Sequence, residues 1–235
     1  MGLPYNAFLI DGSFLCEAPP DIMLSLSRNK CEIQRIHTIF VSHFHADHFF
    51  GIPFLVLNAF VHGNVGFDII GPKPLKDTLI KITKEAFGKN HPCANWLEQK
   101  CAFFEISSGS IYNLSSQEKV SFYQLEHFAE TYGFLLVRNV IPIFAYIADT
   151  LWCESMKRIL EQVPLYALLD LNGEPSDQHQ VHFSESDLLQ YALPITQGNT
   201  RYIGTHLKQD KKSRIDQLEY AVPGMKIEIS AGNFD

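Results

Sequence analysis

The chain has 235 residues, 46% of them apolar and 19% charged, with a formal net charge of −7. This balance excludes a disordered chain and allows a core that needs neither disulfides nor a structural metal. It also argues against a protein that grips a long polyanion, which ordinarily shows a basic stripe. The nearest candidate stripe, Lys208, Lys211, Lys212 and Arg214, is short and is diluted by Asp210.

In chain order, β-rich runs at 7–10, 36–41, 67–70, 102–106, 120–125, 134–138, 143–148, 166–171, 202–204 and 226–230 predict strands. Helical patterns at 74–87, 153–162, 185–191 and 213–220 lie between some of them. The first carries Leu75, Leu79, Ile82 and Phe87 close to one face. Early strands follow one another while later ones alternate with helices, which predicts a layered α/β (α+β) protein. No repeat or linker divides the chain, so a single domain over 1–235 is expected. The apolar stretch 49–61 is broken by Pro53 and Asn58 and is too short to span a bilayer. No basic region precedes an apolar stretch at the start, and Asn6 stands where a myristoylation signal has Ser or Thr, so neither a signal peptide nor a lipid anchor is expected. The five cysteines, Cys16, Cys31, Cys93, Cys101 and Cys153, contain no CxxC pair and read as reduced thiols of a cytoplasmic protein.

Residues with chemistry fall just after the strands. His43 follows the run ending at Val41, His127 follows Leu125, Asp149 follows Ala148, and His206 follows the run ending at Gly204. Strand ends feeding loops are where a rigid sheet aims functional side chains. The segment Ser42-His43-Phe44-His45-Ala46-Asp47-His48 is the densest case, with three imidazoles and a carboxylate in six positions. Imidazole suits zinc, iron and similar divalent metals, and carboxylate suits the harder ones. In an extended loop positions two apart point the same way, so His43 and His45 can share one metal. Asp47 and His48 then turn away as a helix begins, toward a second.

This HxHxDH string after a strand resembles the metallo-β-lactamase fold superfamily, a four-layer αββα sandwich. The wider string FVSHFHADHFFGIPFL over 40–55 is most similar to its phosphodiesterase branch, particularly ribonuclease Z, with Gly51-Ile52-Pro53 in place of that branch's Gly-Leu-Pro. His127 in LEHFAETYGF, Asp149 in IADT and His206 in IGTHL follow in the family's order. The resemblance covers roughly 36–208. It implies one metal on His43, His45 and His127, a second on Asp47, His48 and His206, and Asp149 bridging the two. The implied cofactors are two divalent ions, zinc by ligand type, with manganese or iron also accepted.

Two such metals share a water, lower its pKa and stabilise charge on substrate oxygens, giving a metal-bridging hydroxide as the nucleophile. Asp47 is thereby a catalytic residue as well as a ligand. The leaving group needs a proton, and His182 in Val181-His182-Phe183-Ser184 is the candidate donor. Ribonuclease Z-like enzymes have His-Ser-Thr or a similar element there; here it is His-Phe-Ser. Asp170 is either a carboxylate orienting a ligand histidine or the cap of a turn with Asn172-Gly173. Lys73 reads as part of a helix start that could also approach an anion, and Tyr132 as packing. His37, His62, His91 and His179 carry no assigned role.

Ribonuclease Z enzymes clamp the tRNA elbow with a long arm between the third histidine and the bridging aspartate. Here His127 and Asp149 leave room for only two strands and a turn, and the Gly-Thr opening of those enzymes is replaced by Asn6-Ala7-Phe8-Leu9-Ile10-Asp11-Gly12. The leading expectation is a compact phosphodiesterase acting on a small anionic diester such as a cyclic nucleotide or nucleotide-like compound. Alternatives are RNA 3′-end processing, hydrolysis of a carboxylic ester, lactone or thioester, favoured by the apolar Phe44, Phe49, Phe50 and Phe54, and a non-catalytic metal-binding module. Nucleic acid is not the favoured partner, no membrane partner is expected, and the family resemblance makes a homodimer a weak expectation.

Overall fold

A computed structural model describes residues 5–174, 181–207 and 212–229. His179, Lys208, Asp210, Lys211 and Ser230 therefore lie outside the described residues. The chain divides into two compact units, one ending at Ile106 and the other beginning at Ser107. Each contains one sheet.

The first unit runs β1 (Phe8–Ile10), β2 (Phe14–Cys16), α1 (Ile22–Arg28), β3 (Thr38–Phe40), α2 (Ala46–Phe49), α3 (Ile52–His62), β4 (Asp68–Gly71), α4 (Leu75–Phe87), α5 (Pro92–Lys100) and β5 (Ala102–Glu105). The strands lie in chain order, with β1 and β2 antiparallel and β2 to β5 parallel. Parallel neighbours require crossovers, and the helices between them supply these. Leu15, Ile39 and Ile69 from the strands pack with Leu55, Val56, Leu75 and Leu79 from the helices as one core cluster. α3 begins with Pro53 in its first turn and ends at Gly63, whose φ of 69° gives the left-handed cap. The Glu105 carboxylate accepts the Leu75 N–H at 2.9 Å and so caps α4.

The second unit runs β6 (Ile111–Asn113), β7 (Glu118–Leu125), β8 (Thr131–Arg138), β9 (Ile141–Ile147), α6 (Glu154–Leu160), β10 (Tyr166–Asp170), a helical stretch over 185–196, β11 (Arg201–Thr205) and β12 (Leu218–Tyr220). Sheet order is β12-β11-β10-β9-β8-β7-β6. β9 to β12 are parallel and β6 to β9 antiparallel. Phe122, Phe134 and Tyr146 fill its core, with ring centroids 6.3 and 5.7 Å apart in sequence. The helical stretch comprises α7 (Glu185–Asp187), a π turn (Leu188–Ala192) and α8 (Leu193–Thr196). Pro194 explains the widened turn: it has no N–H to donate, and its ring crowds the carbonyl four residues back.

The mixed α/β class is as expected, and nine of the ten strand runs overlap strands. Two expectations fail. Residues 213–220 form no helix; their last three are β12, held by pairing with β11 in the register Tyr202↔Leu218. A sheet edge supplied by a distant strand overrides the local pattern. The described part of 226–230 forms no strand, having no sheet neighbour. No helix among the described residues is long and apolar enough to cross a membrane.

Leu169 is fully buried at the centre of the second sheet. Leu169→Ala is expected to cost about 2–5 kcal/mol, read as a lower urea midpoint for the second unit.

Candidate metal centre

In the first unit β2 and β3 are parallel with Cys16 beside Phe40, so the residues leaving both strands emerge together. Those residues are Glu17 and the histidine segment. Glu17 is fully buried and adopts a left-handed φ of 65°, an uncommon conformation for a residue with a Cβ. Both its carboxylate oxygens lie 3.3 Å from the Ser42 N–H they accept, and Oε2 is 3.5 Å from His48 Nδ1. Ser42 Oγ is 2.8 Å from His43 Nδ1. The hydrogen bond at Nδ1 fixes the His43 ring and leaves Nε2 for a ligand, the usual support of a metal-binding histidine. The rings of His43 and His45 are 4.5 Å apart and those of His43 and His48 4.2 Å. His45 is the extended residue before α2, and Asp47 Oδ2 lies 3.9 Å from His48 Nε2, a spacing that suits one shared ion.

Close packing holds this segment. The Ala18 N–H donates to the His48 carbonyl and the Gly51 N–H to the Ala18 carbonyl, both at 2.7 Å. A Cβ on Gly51 would fall 2.2 Å from the Pro19 carbonyl oxygen, so only glycine permits this approach. Phe49 belongs to the core, whereas Phe50 and Phe54 are each 48% exposed.

In the second unit strand direction gathers the ligands. The register Ile147↔Leu169↔Gly204 brings Asp149, Asp170 and His206 to one edge of the sheet. β7 runs the same way as β9 because two antiparallel steps separate them, so His127 leaves at that edge too. Asp149 and Asp170 are buried. His206 Nδ1 lies 3.1 Å from Asp149 and 3.5 Å from Asp170, and its own φ is left-handed at 59°. His127 Nε2 is 4.0 Å from Asp149 Oδ2. His182 Nδ1 is 2.5 Å from Asp170 Oδ2 and 3.9 Å from Asp149. Ligand atoms of Asp149, Asp170, His182 and His206 all lie within 4.8 Å of one another, and this oxygen and imidazole set suits a divalent cation. Burial pushes the His182 pKa down, but the hydrogen bond and charge of Asp170, with the charge of Asp149, outweigh it and raise it above the ordinary value.

Three residues in this unit hold the others. The Thr150 hydroxyl accepts the Glu126 N–H at 3.1 Å, and the Leu151 N–H donates to the Glu126 carbonyl at 3.0 Å, tying the Asp149 turn to the residue before His127. Gly173 pairs with Ser184, its N–H donating to the Phe183 carbonyl at 3.1 Å. A Cβ there would meet the His182 carbonyl oxygen at 2.3 Å. Asp170 caps the turn, Oδ1 accepting the Asn172 N–H at 2.9 Å, while Oδ2 meets His182.

The sequence candidates thus appear as two sets, His43, His45, Asp47 and His48 in one unit and His127, Asp149, His182 and His206 in the other. Glu17, Thr150 and Gly173 were not foreseen. Glu17 had one available signal, a carboxylate directly after the apolar run Phe14-Leu15-Cys16, too short to stand out as a strand. Tyr132 is buried with its hydroxyl donating to Glu130 at 2.7 Å, and Lys73, His37 and His62 are exposed. His91 accepts the Cys93 N–H at the start of α5.

Comparison with known proteins agrees with this fold. Human tRNase Z, short form, superposes with a TM-score of 0.75 at 19% identity, over 97% of this chain and 95% of that one. A diphosphatase from the PhnP family superposes at 0.70 with 18% identity, over 95% and 83%. In sequence the chain is 33% identical over 121 residues to ribonuclease BN of Citrobacter koseri, an alignment that covers 51% of this chain but only 36% of that protein. The fold is therefore the metallo-β-lactamase fold, with a His/Asp cluster able to hold a metal. The family model described as Anti-Pycsar protein Apyc1 matches residues 6–218, nearly the full chain, and the chain belongs to that family.

Proposed function

We propose that the chain is a dinuclear metal-dependent phosphodiesterase acting on a small anionic diester, such as a cyclic nucleotide or nucleotide-like compound. The observation that carries this reading is the packing of Asp149 and His206 against the hydrogen-bonded pair Asp170–His182 at one end of the parallel strands. His43, His45, Asp47 and His48 in the first unit, and His127, Asp149 and His206 in the second, would serve as ligands of the divalent ions. When bound, zinc, manganese or iron there supplies Lewis-acid stabilisation and a nucleophilic water at neutral pH. Asp170 holds His182 at Nδ1 and favours the protonated imidazole, which leaves Nε2 to deliver a proton to the departing oxygen.

A second reading, an RNA 3′-end nuclease, is favoured by the similarity to ribonuclease BN. Against it, β8 and β9 are joined by Asn139-Val140 alone, both with positive φ as in a tight hairpin turn. A small substrate needs no arm at that position.

The deciding measurement is hydrolysis of bis(p-nitrophenyl) phosphate by protein stripped of metal and reloaded with zinc or manganese. Turnover that returns with metal and vanishes in Asp149→Ala is expected. Silence from protein carrying two bound metals would overturn phosphodiester chemistry and point to lactones and thioesters. His182→Ala is expected to lower turnover on a diester with a poor leaving group by about 10²–10⁴-fold while leaving metal content, read by elemental analysis, unchanged; equal loss of both would make it a ligand. Thr150→Val is expected to cost about 1–3 kcal/mol, seen as a lower melting temperature.

A further inference from the structure

An aromatic stack beside His182 has no part in binding metal. The Trp152 indole stacks on Tyr191 with ring centroids 5.1 Å apart and 13° between planes, and on Phe183 at 6.1 Å and 28°. Trp152 is three residues beyond Asp149 on the turn between β9 and α6, and Phe183 directly follows His182. Tyr191 lies on the π turn. Phe183 is fully buried. The ring system therefore joins the turn bearing Asp149 to the strand-like pairing of Gly173 with Ser184 that carries His182.

The 2.5 Å contact between His182 and Asp170 depends on where the His182 backbone sits. Gly173 limits that backbone from one side, through the close approach to the His182 carbonyl. The Phe183 ring, on the next residue, stacks against Trp152. We propose that Trp152 is a positioning residue for the proton donor His182, acting through Phe183 and braced by Tyr191. Offset ring stacking fixes both distance and plane, so the stack sets the separation of His182 from Asp149 with more precision than a general apolar contact. This rests on the reading of His182 as proton donor.

The test compares two diesters that differ in their need for a proton, bis(p-nitrophenyl) phosphate and diphenyl phosphate, on metal-loaded enzyme. Trp152→Leu is expected to slow diphenyl phosphate about tenfold more than the nitrophenyl ester with metal content unchanged. Trp152→Phe, which keeps a ring in the stack, should restore the wild-type ratio, and Trp152→Leu added to His182→Ala should change the ratio no further. Equal losses on both esters in Trp152→Leu, or a ratio change that persists without His182, would overturn the proposal. Should Trp152→Leu not fold, Tyr191→Leu is expected to show the same selective loss, and an unchanged ratio there overturns it. A readout independent of turnover is the low-field imidazole N–H proton resonance of His182, assigned by its disappearance in His182→Ala. It should be lost in Trp152→Leu and kept in Trp152→Phe; its survival in Trp152→Leu would overturn positioning even if neither ester is a substrate. A wild type inert toward both esters would instead refute the diesterase reading, and a wild-type ratio in His182→Ala would refute the donor assignment.

Discussion

Two carboxylates side by side in a protein interior repel each other and lose hydration, a cost of several kcal/mol unless positive charge or hydrogen-bond donors gather around them. Asp149 and Asp170 are in this position at the edge of the second sheet, and the surrounding residues answer that cost. His182 and His206 approach both carboxylates, and the Asn172 N–H meets Asp170. His206 adopts a left-handed backbone to reach them. Strain of that kind persists only where neighbouring structure over-determines it. The parallel order of β9, β10 and β11 makes the arrangement available, because it delivers a loop residue from each strand to the same edge. Glu17 plays the corresponding part in the first unit, a buried carboxylate whose neighbours are the Ser42 N–H and His48.

Sequence reading was strongest where chemistry is dense and local. Four ligand-type residues within Ser42 to His48, directly after a β run, leave little room for another explanation. His127, Asp149 and His206 became legible only through their order behind that string and their places after strands. The supporting residues were not legible in this way. Thr150 holds Glu126, twenty-four positions away, and Glu17 holds Ser42, twenty-five positions away; nothing local marks either contact. Gly173 is required by the passing backbone of His182, a constraint that exists only in three dimensions.

Elements were missed for similar physical reasons. α3 buries Ile52, Leu55, Val56 and Ala59 but also carries Phe54 and Val61 on its exposed side, so the contrast between faces that identifies a surface helix is weak. β2 and β12 have three residues each, below the length at which alternation can be recognised, and their stability comes from pairing with β3 and β11. In 213–220 a helix-like spacing of apolar residues yields to that pairing. Local pattern decides long elements here, and partners decide short ones.

The β8–β9 hairpin gives the fold an open end. Asn139 and Val140 close it with the fewest residues a hairpin allows, and Val140 is 92% exposed. Sequence inserted at such a tip leaves the ladder beneath it intact, and the entropic cost of a longer loop grows only slowly with its length. Both His127 and Asp149 lie at the opposite end of these strands, eight and seven residues long. The length of this turn and the placement of the His/Asp cluster are therefore separable in this architecture.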